Sequence, residues 1–180
     1  RVERCAELVN ADSEPWIVWC DLNAEGDALK AAIPGAVEIR GSDDPDVKEK
    51  RLADFAAGRI RVLITKPSIA GFGLNWQHCA RMAFVGVTDS WEAYYQAVRR
   101  CWRFGQSREV HAHIFASDLE GAVIQNLQRK ERDAKTMADA LSAETYDAVM
   151  QEVTGVTRNT NPYNPERPVI CPPWLETEAA

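Results

Sequence analysis

Apolar residues fall along this chain in short blocks, and the blocks follow two different periods. Residues 16–20, WIVWC, are apolar without interruption, which is the pattern of a strand buried on both faces. The same reading predicts strands at 36–40 (AVEIR), 61–65 (RVLIT), 81–87 (RMAFVGV) and 109–116 (EVHAHIFA). Between them apolar positions recur every three or four residues, so helices are expected over 24–32, from Pro45 to Ala57, and from Ser90 to about 104. Punctuation agrees with these limits. Pro34 and Gly35 end the first of these helices, Asp44 can cap the second with Pro45 in its first turn, and Gly58 can stop it. The opening RVERCAELVN reads as another amphipathic helix. Ser117 and Glu120 form an S-x-x-E box, which predicts a long helix from Asp118 that continues, with a break, to about Val153.

Strands alternating with helices predict a three-layer α/β domain with a mainly parallel sheet. In such sheets ligand groups sit on loops leaving the carboxyl ends of strands. The loops after Thr65 and after Val87 fit that description. Beyond Val153 prolines recur between Pro162 and Pro173, a composition that suits neither helix nor central strand. Residues 1–153 are therefore expected to form the domain with its flanking helices, and 154–180 an extended Pro-rich tail pinned at its far end by Trp174 and Leu175.

With 180 residues the chain can bury one good core, and it has no apolar run of about 18 residues that would span a bilayer. It opens on Arg1 rather than a methionine, which reads as a piece of a longer protein. The five cysteines include no C-x-x-C pair, so free thiols in a reducing cytoplasm are expected. His111 and His113 share one strand face at a spacing a metal could use, although packing is the commoner role. His78 beside Cys79 reads as a packed or capping pair. A net charge of −6 argues against a general polyanion binder. Any anion contact must then be local.

One local patch stands out. YYQAVRRCWRFGQSR, residues 94–108, holds four arginines and no acid. On a helix, Gln96, Arg99, Arg100 and Arg103 would share one arc, opposite Tyr94, Ala97, Val98 and Cys101. Such a stripe can be a solvated face. Against that, no acid lies three or four residues from Arg99, Arg100 or Arg103, and the planar guanidinium suits phosphate oxygens. TKPSIAGFGLNWQ (65–77) carries Gly71 and Gly73, which would let backbone amides approach an anion or simply form a tight turn. No G-x-x-x-x-G-K-[ST] loop occurs, so half of an ATP site is absent from these residues. In phosphoryl-transfer machines, arginine fingers can complete a site held by a neighbouring domain.

Together these segments resemble the second RecA-like lobe of a superfamily 2 helicase or translocase, nearest the Swi/Snf-type ATPases and related phage and bacterial helicases. QAVRRCWRFGQ (96–106) resembles motif VI, Q-A-x-x-R-x-x-R-x-G-Q. TKPSIAGFGLNWQ resembles motif V, WIVWC motif IV, and RGSDDPDVKEKRLADFAAG the segment written G-S-x(n)-R-x(n)-F. The match runs in order from residue 16 to about 135. Arg99 stands where the family usually has an acid, and SWEAYYQ is shorter than the link of chromatin remodellers.

The resemblance implies that Arg103, then Arg100, act as fingers on the γ-phosphate of ATP. Gln96, Gly71, Gly73 and Asn75 would face the ATP cleft, while Thr65, Lys66 and Ser42 would meet a nucleic-acid backbone. It implies ATP and Mg2+ in a two-lobe parent and none bound to this piece alone. Partners would be an N-terminal RecA-like lobe and DNA, with RNA also open, in a bacterial or phage cytoplasmic protein. No acid–base constellation of a free-standing enzyme can be assembled. A non-catalytic nucleic-acid- or protein-binding module using the arginine stripe remains the competing reading.

Overall fold

The computed structural model describes residues 1–69, 75–117 and 120–153. Five strands form one sheet: β1 (Trp16–Cys20), β2 (Val37–Glu38), β3 (Val62–Thr65), β4 (Arg81–Val85) and β5 (His111–Phe115). Their order is β2-β3-β1-β4-β5, and every neighbouring pair is parallel. Trp16 lies beside both Val62 and Arg81, and Arg81 beside His111, so the four longer strands start level. The helices are α1 (Val2–Asn10), α2 (Asn23–Ala32), α3 (Pro45–Ala56), α4 (Trp91–Val98) and α5 (Gly121–Val153).

Side chains alternate across a strand, and here both sets are covered. Trp16, Val18, Cys20, Val62, Ile64, Ala83 and Val85 pack with Cys5 and Val9 of α1 and Leu29 of α2. Ile17, Trp19, Leu63, Met82 and Phe84 pack with Phe55 of α3, Ala97 of α4, and the buried Trp76, Cys79 and Cys101. Helices thus lie on both faces of the sheet, the three-layer arrangement that the uninterrupted apolar strands predict. The edge strand β5 alternates between half-buried and exposed residues, as an edge does.

Local stops are where the sequence places them. Asp44 accepts a hydrogen bond from the Asp46 N–H at 2.9 Å with Pro45 in the first turn of α3, and Gly58 follows that helix at φ +73°. Ser90 caps α4, accepting from the Ala93 N–H at 3.2 Å. Glu120 accepts from the Ser117 N–H at 2.6 Å, the return half of the expected box; Asp118 itself lies outside the described residues.

Two expectations need correction. α4 stops at Val98 instead of running to 104. The Arg100 carbonyl accepts from the Trp76 N–H at 3.0 Å rather than from a helical turn, and Gly105 at φ +91° turns the chain toward β5. The helical arginine stripe is therefore a loop. α5, in contrast, runs to Val153 without a break. The arginines lie away from the carboxyl edge of the sheet. β4 ends at the loop 86–90, and α4 carries the chain back, so residues 99–106 lie beside the amino ends of β1, β4 and β5.

The chain divides into two compact units, residues 1–134 and 135–180. Of the second, 135–153 are described and continue α5, with Met137, Leu141 and Tyr146 exposed. The tail expected over 154–180, with Trp174 and Leu175, lies outside the described residues.

Candidate functional site

The loop after α4 is held by the turn that precedes β4. Trp76, fully buried between Trp19 and Phe55, donates its N–H to the Arg100 carbonyl. Gln106 donates its amide to the carbonyls of Gln77 at 2.9 Å, Cys101 at 3.2 Å and Cys79 at 3.3 Å. Its own side-chain oxygen accepts from the Arg108 N–H at 3.1 Å. Gln77 returns the contact by donating its amide to the Phe104 carbonyl. Between these anchors lie Arg100 and Arg103, with Asn75 exposed just before Trp76.

What this loop presents is cationic and aromatic. Arg100 is half-buried and Arg103 exposed. Burial first, and the neighbouring Arg103 charge second, weaken the hold of Arg100 on its proton. Like charges on neighbouring residues of this kind favour an anion nearby. Arg99 lies over the Trp102 ring at 5.3 Å, within cation–π range. Phe104 is completely exposed and Trp102 half-exposed. A cleft of about 290 Å³ opens beside Arg103, lined also by Val98, Trp102, Gln106, Arg108, Val110 and one acid, Glu109. Gln96 is exposed on α4 one turn before Arg100. Gly71 and Gly73 lie outside the described residues.

The other predicted residues collect at the opposite end of the sheet. Thr65 closes β3 but is 1% exposed, and its hydroxyl donates to the Ile39 carbonyl at 3.2 Å. It holds β3 to the chain leaving β2 and offers no side-chain surface to a ligand. Lys66 follows it, half-buried. Ser42 is exposed in the turn after β2, where Gly41 approaches Ile69 at 4.0 Å from a Cβ built there. A pocket of about 30 Å³ at this end, lined by Asp21, Pro67, Gly86, Thr88 and Ser90, is too small for a nucleotide. The structure thus brings Asn75, Arg100 and Arg103 together and sets Lys66 and Ser42 apart from them.

Two residues of the site carry no assignment from sequence. Gln106 and Gln77 sit at the ends of the quoted motifs and read as polar surface. Only the fold, which puts the 76–79 turn against residues 99–106, shows that their amides tie the two segments.

Comparison with known proteins agrees with this fold. Among solved structures, the C-terminal part of the Fun30 ATPase domain superimposes with a TM-score of 0.60 at 17% identity, covering 69% of this chain and 44% of that one. The chain thus spans less than half the length of that structure. The C-terminal domain of S. cerevisiae Dbp5, in a variant bound to a Gle1 variant and IP6, gives a TM-score of 0.64 at 14% identity, covering 73% of this chain and 78% of that one. A further structure of the C-terminal domain of the DEAD-box protein Dbp5 gives 0.61 at 16% identity, with coverages of 73% and 78%. At these identities the likeness establishes the RecA-like fold. The curated proteins searched contain no match. The family model for the helicase conserved C-terminal domain matches residues 2–105, which takes in the whole run from α1 through the arginine loop. With the parallel sheet and motifs in the order that this domain requires, the chain belongs to the helicase C-terminal domain family.

Proposed function

We propose that this chain is the second motor lobe of an ATP-dependent helicase or translocase, either Swi/Snf-like or related to phage and bacterial helicases. The observation that carries the reading is the separation of two chemistries by the sheet: phosphate-suited arginines at its amino edge, and Lys66 with Ser42 at its carboxyl edge. The segment that resembles motif V begins at the second of these edges, with Thr65 and Lys66, and ends at the first, with Trp76 and Gln77.

Arg100 and Arg103 would meet the β- and γ-phosphates of ATP bound mainly to an N-terminal lobe. There they would stabilise charge that develops in the transition state, a contribution of roughly 10³-fold or more for arginine fingers. The exposure of Arg103 fits that role, and Asn75 and Gln96 are exposed as well. Among the described residues no group of three or more His, Cys, Asp or Glu gathers to hold a metal. Lys66 and Ser42 would grip phosphates of a nucleic-acid strand, contacts that position a track without reading its bases. Thr65 would serve that grip by fixing the β3 end to Ile39.

The test uses a protein that carries both lobes, assayed for ATP turnover with duplex DNA, single-stranded DNA or RNA. Lys66→Ala should raise the concentration of polymer needed for half-maximal stimulation and lower its salt dependence, with little change at saturation. Arg103→Ala should instead lower turnover at saturating polymer. If Lys66→Ala leaves polymer dependence unchanged, the carboxyl edge is not the track.

A further inference from the structure

We infer that Gln106 and Gln77 form a reciprocal amide latch that positions Arg103 for catalysis from the end of motif V. The inference rests on the finger reading above and goes beyond it by naming what holds the finger.

The geometry closes on itself. The Gln106 amide gathers three carbonyls, those of Gln77, Cys79 and Cys101, from both sides of the junction. The Gln77 amide crosses in the other direction to the Phe104 carbonyl, next in sequence to Arg103. The Gln106 N–H donates back to the Arg103 carbonyl at 3.0 Å, so the backbone carrying the finger is gripped on both sides. Gly105, between them, holds φ +91°, and a Cβ there would stand 3.2 Å from the Gln77 amide nitrogen. A side chain at 105 would therefore press on the latch. Charge plays no part in these contacts. Their content is directional: donors on Gln106 and Gln77, backbone acceptors opposite.

A carboxamide suits this task because one group both donates and accepts. Glutamate has the same shape and no N–H to give, so it would face three carbonyls as an acceptor. Neither glutamine needs to touch ATP. They act through Arg103 and are positioning residues. The latch also joins the end of the segment that begins at Lys66 to the loop that bears the fingers, so displacement of the 76–79 turn moves the finger.

The test is a double-mutant cycle in the two-lobe protein, reading kcat and KM for ATP at saturating polymer, with thermal unfolding run on each variant. Gln106→Glu and Gln106→Leu should each lower kcat by about 10- to 100-fold with KM within about twofold, the scale expected when a reacting group is misplaced by an ångström. Added to Arg103→Ala, either change should cost less than about twofold more, because the finger it positions is already gone. Gln77→Met, which removes one crossing donor and leaves its backbone carbonyl, should show the same pattern more weakly and serves if the Gln106 variants do not fold. Equal losses in the wild-type and Arg103→Ala backgrounds would overturn the latch and leave the finger reading standing. An unchanged kcat in Arg103→Ala itself would overturn both.

Discussion

Gly26 lies in the first half of α2, where alanine would ordinarily favour the helix by about 1 kcal/mol. Here a Cβ would collide with the carboxylate of Glu38. Glu38 is 6% exposed and is held by Arg40, which donates to it at 2.8 Å and also pairs with Asp27. The hydrogen bonds that Arg40 donates, to Glu38 first and then to Asp27, tighten its hold on its proton. Glu25 next door accepts the N–H of Leu22 at 3.0 Å and of Asp21 at 3.2 Å, and pairs with Arg1 at 2.7 Å. Gly26→Ala should therefore destabilise by about 1–3 kcal/mol, the usual cost of overpacking. Urea unfolding measures it, and a gain of stability would show that Glu38 yields without cost. None of this is legible in sequence, where Glu38 in AVEIR reads as an ordinary polar strand position.

Among the elements, those set by local chemistry could be read and those set by distant partners could not. The apolar block at 16–20, the Asp44-Pro45 start and the Gly58 stop are local, and all are observed. The apolar face expected for α4 is also real, since Ala97 and Cys101 are buried and Tyr94 and Val98 pack beside them. The end of α4 depends instead on Trp76, whose N–H takes the Arg100 carbonyl, and no periodicity reports a partner so far upstream. Gly105 is the element's hinge on the other side. Gly105→Ala would combine a left-handed backbone with contact against Gln77, so a loss of about 1–3 kcal/mol is expected. An unchanged Tm in thermal unfolding would mean that the loop relaxes to another conformation without cost.

At the scale of the molecule, the order of motifs is legible in the sequence, and the distribution of the candidate residues between two sheet edges is not. The rule that ligands gather at carboxyl ends of strands suits Lys66 and Ser42, whereas α4 carries the arginines to the other edge. Thr65 was legible as a residue of this segment, but its burial and bond to Ile39 follow from the pairing of β2 with β3. Protonation links the whole fold to pH. Burial first, then Arg108, lowers the pKa of His78; burial, then His111 and Arg81, lowers that of His113. Glu120 is lowered chiefly by the Ser117 N–H. Each folded value lies below its ordinary one, so the unfolded chain takes up protons first as pH falls. The histidine contribution is full above about 6.5 and is lost as pH drops through the folded values. The urea midpoint should be lower at pH 5.5 than at 7.5, and a flat or reversed dependence would contradict these shifts. On the proposed function, the loop after α4 completes an ATP site that it does not itself hold. The most direct test is kcat for ATP in a protein carrying both lobes, wild type against Arg103→Ala, at saturating ATP and nucleic acid. A loss of roughly 10³-fold or more is expected; turnover within about threefold of wild type, against that scale for arginine fingers, would contradict it.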